Sequence, residues 1–100
     1  MRTQMQTLFV IYDEAMETEI TAIIETGMVV PRYTRIDNVI GARMAEREAA
    51  TGYVTDRRNR MIVAVAEEPV IQQIARGLRA LRRRRRHGLR AFVVPLQDVV

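Results

Sequence analysis

The chain has 100 residues, 48% of them hydrophobic, which suits one small globular domain spanning 1–100 and is too apolar for a disordered chain. It contains no cysteine and no serine, so disulfides, thiolate metal sites and Cys or Ser nucleophiles are excluded. The net charge is +4, from 16 basic residues that are all arginine against 12 acids. Five of those arginines form the run Arg82–Arg86; without it the balance is −1, so the basicity is local. No apolar stretch is long enough to span a bilayer, and "MRTQMQTLFVIYDEAM" lacks the pattern of a signal peptide. The expectation is a cytoplasmic protein without membrane insertion.

In chain order, "TLFVIYD" is short, β-branched and aromatic, and predicts a buried strand. Asp13 offers an N-cap, and Glu14 and Glu17 stand in the first turn of a helix, where its dipole favours acids. Met16, Ile20, Ile23 and Ile24 recur at helical spacing, and Gly27 is a natural stop. "MVVPRYTRIDNVIG" predicts a second strand with Tyr33, Arg35 and Asp37 on one face and Arg32, Thr34 and Ile36 on the other. Pro31 belongs at the beginning or edge of that strand.

From Gly41 to Asn59 no periodic face organises the sequence, which reads as a long loop of the functional kind. "RMIVAVAEE" predicts a third strand. Glu67, Glu68 and Pro69 start a second helix whose apolar stripe is Val70, Ile74, Leu78 and Leu81, and Gly88 is its expected stop. "LRAFVVP" is the fourth strand, and "LQDVV" a short tail. The order βαββαβ predicts an α+β, ferredoxin-like fold: a four-stranded antiparallel sheet, two helices on one face, and a long loop between strands 2 and 3. The opposite sheet face is left for a ligand or another copy of the chain.

The arginine run reads first as a helix end, where cations offset the dipole. RNA-recognition domains share this element order but stack bases on aromatics of their first and third strands. Here "MIVAVA" has no aromatic, so nucleic acid is not the expected partner, and contact through the run alone would be strongly salt-dependent.

"LFVIYDEAM", "YTRIDNVIG" ahead of the long loop, and "GLRAFVVPLQDVV" at the close together resemble the PII-like signal-transduction proteins, relatives of the nitrogen-regulatory PII family. The resemblance spans nearly the whole chain in element order. It implies a homotrimer whose sheets pack inward and a small anionic effector in the inter-subunit clefts. The effector is typically an adenine nucleotide (ATP, ADP or AMP). It also implies that the loop contacts a target protein, such as a membrane transporter or an enzyme. Carried over residue by residue, Arg90 takes the place of the basic residue that meets phosphate at the start of the closing strand. Gly41 and Arg43 match the root of the loop. The partner loop is Ala42 to Arg58, including Glu46, Arg47, Tyr53, Asp56 and Arg57. The family's phosphate loop, TGxxGDGK, has no counterpart: "RRRRRHGL" stands there, so Arg90 is retained without the backbone cradle.

No catalytic site is expected. The single His87 lacks a recognisable acid partner, and no hydrolase, transferase or Walker-type signature is present. The alternative is a trimeric metal-tolerance or metal-efflux protein, with His87, Glu46, Glu48, Asp56 and scattered Met as the candidate ligands. One His and no Cys make a poor transition-metal set within one chain.

Overall fold

The computed structural model describes residues 4–44, 53–85 and 88–100. Its elements are β1 (Met5–Asp13), a 3-10 turn (Glu14–Met16), α1 (Glu17–Gly27), β2 (Thr34–Met44), β3 (Tyr53–Glu67), α2 (Glu68–Arg84) and β4 (Leu89–Pro95). The strands form one antiparallel sheet in the order β2-β3-β1-β4. This is the expected ferredoxin-like arrangement. Among the described residues, no helix is long and apolar enough to cross a membrane.

Strand alternation assigns the two faces. Leu8, Val10 and Tyr12 of β1 and Ile62 and Ala64 of β3 point toward the helices and are buried. They meet Met16, Ile20 and Ile24 of the first helical segment and Ile71, Ile74, Leu78 and Leu81 of α2 in one core. The stripe expected on the first helix is thus observed, with Ile23 packed at its margin. On α2 the buried face includes Ile71 and Ala75, while Val70 is only partly buried.

Asp13 caps as expected. Its carboxylate accepts from the backbone N–H of Ala15 at 2.9 Å, and the chain then enters α1 through the 3-10 turn. α2 starts with Pro at its N-terminal turn and ends at Arg84, four residues before the expected stop. Gly88 instead shapes the turn into β4: its φ is +93°, and its carbonyl accepts from Asp13 N–H at 2.8 Å.

The second strand begins later than expected, at Thr34, with Pro31 in the link that precedes it. The larger difference is the loop. Gly41–Met44 belong to β2 and Tyr53–Asn59 to β3, paired from Gly41↔Asp56 to Met44↔Tyr53. Residues 45–52 lie outside the described residues. β1 ends opposite Asn59, so beyond that point the pair continues as a two-stranded ribbon, or arm. Among the described residues no third strand lies beside this ribbon, and the sequence there lacks the period-2 pattern that packing between strands and a core imposes.

Helix packing depends on two small residues. A Cβ on Gly27 would sit 2.5 Å from Ile74 Cγ1, and one on Gly77 would sit 2.8 Å from Ile23 Cγ2. Gly27, expected as a helix stop, therefore also permits close approach of α1 to α2. Gly27→Ala is expected to destabilise the fold by about 1–3 kcal/mol through overpacking against buried Ile74. A urea titration checks this: the midpoint falls and the slope stays unchanged.

Candidate functional site

The face of the sheet turned away from the helices is apolar. Register places Thr7, Phe9 and Ile11 of β1 beside Val65, Val63 and Met61 of β3, and beside Val94, Phe92 and Arg90 of β4. Ile36 of β2 faces Met61 in the same layer. Thr7 is buried, but Phe92 and Val94 are each 46% exposed, Ile36 42% and Val65 40%. A contiguous exposed apolar surface of this kind marks an interaction site.

Arg90 is exposed and lies at the end of this face, on the edge strand β4. Gly41 and Arg43 lie on the arm, on the opposite edge strand β2, opposite Asp56 and Val54. Along the row Arg90–Ile11–Met61–Ile36, three inter-strand spacings put the two edges about 14 Å apart, and Gly41 and Arg43 are farther out. One chain therefore does not bring the three residues together. Tyr53, Asp56 and Arg57 are in β3 of the arm, while Glu46, Arg47, Glu48 and His87 lie outside the described residues. Among the described residues, no group of three or more His, Asp or Glu is placed to hold a metal ion.

At the root of the arm, a polar cluster joins all three of β1, β2 and β3 to the start of α1. Tyr12 is buried with its core neighbours, and its hydroxyl donates to Glu17 Oε1 at 2.5 Å. Arg60 Nη1 of β3 donates to the same oxygen at 3.0 Å. Arg35 Nη1 of β2 lies 3.6 Å from Glu17 Oε2. Arg35 Nη2 donates to Asp37 Oδ2 at 3.5 Å, and Asp37 Oδ1 lies 3.0 Å from Arg35 Nε and 3.4 Å from Arg60 Nε. Glu14 stands 3.9 Å from Arg60. The arm leaves the sheet just beyond this cluster: Asn38 has φ +59°, and the β2–β3 register shifts on both sides of Val39. Glu17 was legible only as a helix-start acid. Its second role follows from Tyr12, whose hydroxyl, at a core position, must find a partner.

The cluster fixes charge states. Partial burial acts to raise the Glu17 carboxyl, but hydrogen bonds from Tyr12 and Arg60 and the charge of Arg35 outweigh it and hold the group below its ordinary value of 4.5. Burial, and then the hydrogen bond to Glu17 and its negative charge, push the Tyr12 phenol well above its ordinary value of 10. At neutral pH the pair is a neutral donor on a charged acceptor.

No protein-family model matches the chain, and no curated protein sequence matches it. Solved structures do resemble it. CPII, a nitrogen regulatory PII-like protein from Thiomonas intermedia K12, bound to ADP, AMP and bicarbonate, has a TM-score of 0.71 at 20% identity, covering 96% of this chain and 93% of its own. The divalent ion tolerance protein CutA1 from Ehrlichia chaffeensis has a TM-score of 0.73 at 10% identity, covering 100% of this chain and 88% of its own. The B. subtilis GlnK–ATP complex has a TM-score of 0.68 at 17% identity, covering 96% and 84%. At these identities the likeness establishes a shared fold, the one that the sequence resemblance implied.

The Tyr12–Glu17 pair makes stability depend on pH in two windows. Glu17 is depressed, so its contribution is complete above 4.5 and lost as pH falls through its lower folded value. Tyr12 is raised, so its contribution is complete below 10 and lost as pH climbs toward its higher folded value. Glu17→Gln should cost about 1–3 kcal/mol at neutral pH, by weakening bonds to two partly buried donors, and should flatten the acid decline. Tyr12→Phe should flatten the alkaline decline. Urea midpoints across the pH range check both, and unaltered pH slopes in the variants would assign the linkage elsewhere.

Proposed function

We propose that the protein is a single-domain, non-catalytic PII-like regulatory protein of the cytoplasm. Three copies associate through the open sheet face, and a small anionic effector binds in the clefts between them. The observation that carries this reading is that apolar face, with Arg90 at its end and the arm leaving the opposite edge. An inward-packed trimer covers the apolar face and brings the β4 edge of one copy toward the β2 edge of the next. Arg90 could then share a cleft with Gly41 and Arg43, which a single chain keeps apart.

The effector best supported is an adenine nucleotide. CPII is described with ADP and AMP bound and GlnK with ATP, and Arg90 supplies a guanidinium suited to bidentate phosphate contact. The arm, with Tyr53, Asp56 and Arg57 in β3, and the segment that contains Glu46 and Arg47 between its strands in sequence supply the surface for a target protein such as a membrane transporter or an enzyme. An effector switches the arm only by preferring one of its states.

Two measurements test the reading. Sedimentation should give three times the protomer mass of 11.5 kDa, and Phe92→Arg should yield a folded monomer; an unchanged trimer would place the interface elsewhere. Calorimetric titration with ATP, ADP and AMP, with and without Mg²⁺, should show saturable binding near one nucleotide per protomer. Arg90→Ala should weaken it by about tenfold or more, the worth of one charge-assisted phosphate contact.

The likeness to CutA1 favours one further reading, a divalent-ion tolerance protein. It requires an ion retained in stoichiometric amount through dialysis and released by His87→Ala.

A further inference from the structure

The outward face of α2 carries a row of arginines that the proposed cleft does not use. Its inward face is Ile71, Ile74, Ala75, Leu78 and Leu81. At about 100° per residue, Arg76, Arg79 and Arg83 fall within roughly 60° of one another on the opposite side, and Arg82 and Arg84 flank them. All five are exposed, and among the described residues none has a carboxylate partner. Arg85, next in the run, is instead bonded to Glu19 of α1 at 2.8 Å.

A helix end accounts for only part of this row. Cations offset the dipole within the last turn, which covers Arg82 to Arg84, whereas Arg79 and Arg76 stand five and eight residues before the end of α2. The pairs 76/79, 79/82 and 79/83 also set like charges three or four apart, a spacing that destabilises a helix. The sole acid in α2 is Glu68, in its first turn. A self-repelling stripe is stabilised when a negative partner lies along it.

The surroundings select the partner. α1 packs beside α2 and is acidic, with Glu17, Glu19 and Glu25 and no basic residue. A flat anionic bilayer would press on the acidic helix as well as the basic one. A nucleic-acid strand would find no aromatic residue on either helix to stack its bases. A helix with carboxylates at i, i+3 or i+4 and i+7 matches the stripe, because it repeats the same pitch over about 10 Å. We propose that the Arg76–Arg79–Arg83 face of α2 is a docking surface for an acidic helical segment of a partner protein. It is separate from the arm and from the effector cleft.

The test uses a fluorescent alanine-based helical peptide with glutamates at i, i+4 and i+7, read by anisotropy against the full-length protein at low salt. Combined Arg76→Gln, Arg79→Gln and Arg83→Gln should weaken binding at least about tenfold, whereas Arg82→Gln with Arg84→Gln should have a smaller effect. Arg90→Ala should have none. Spreading the same glutamates around the peptide should weaken binding, as should added salt. The proposal is overturned by any of three results: no binding of the peptide, equal binding to the two sets of arginine variants, or tighter binding of a single-stranded oligonucleotide or phosphatidylserine vesicles than of the peptide.

Discussion

A four-stranded sheet with two helices can bury only one of its faces, and the other features of this molecule are arranged around that constraint. The helix side is closed efficiently because Gly27 and Gly77 let α1 and α2 approach, each glycine accepting an isoleucine side chain of the facing helix, Ile74 and Ile23. Among the described residues no third layer covers the other face. Phe9, Ile11, Met61, Val63 and Phe92 are therefore held on the far side by strand alternation, in a layer whose outer members are about half exposed. A sheet meant to face water would alternate apolar with polar residues. Here both faces of the central strands are apolar, which fits a strand buried on both sides in an assembly.

The arm presents a second physical problem, because a two-stranded ribbon is marginal by itself. Its root is held by Glu17, which gathers Tyr12, Arg35 and Arg60 from three strands onto the first turn of α1. Asp37 then bonds both arginines again. Arg35 thus joins two carboxylates and Arg60 three, and the bend at Asn38 begins where this bonding ends. The cluster stands where the arm leaves the sheet, and the described residues beyond it pair β2 with β3 alone. The root is thus cross-linked by ion pairs among β2, β3 and α1, and the ribbon beyond it is held by its own ladder.

The fold was largely legible in the sequence, because its signals are local. The runs TLFVIYD, MIVAVA and AFVVP, the stripe Met16–Ile20–Ile24 and the acid–proline start of α2 all stand where the structure has them, whereas the run at 28–30 precedes β2. The arm was not legible, since no alternation of apolar and polar residues marks its two strands in the sequence. The polar cluster was only half legible. The alternation that placed Arg35 and Asp37 on one face was visible, but their pairing with Arg60 and Glu17 is a tertiary contact between distant segments. Gly27 shows a related limit: a stop signal and a close-packing requirement look alike in one dimension. For Gly41, Arg43 and Arg90 the sequence resemblance supplied a grouping that no single chain can display, because they stand on opposite edges of one sheet.

That separation bears on how an effector could act in the proposed assembly. The cleft would join the β4 edge of one subunit to the arm root of its neighbour, so occupancy would report on two chains at once. Without the family's glycine-rich cradle, the phosphate end would be held by side chains such as Arg90 rather than by a row of backbone N–H groups. Side-chain contacts carry more conformational entropy than a preformed nest and discriminate less by shape. In such a site, selectivity among anions would depend on the arm: the preferred effector would be the one whose remaining groups stabilise a single arrangement of the ribbon beyond Asn38.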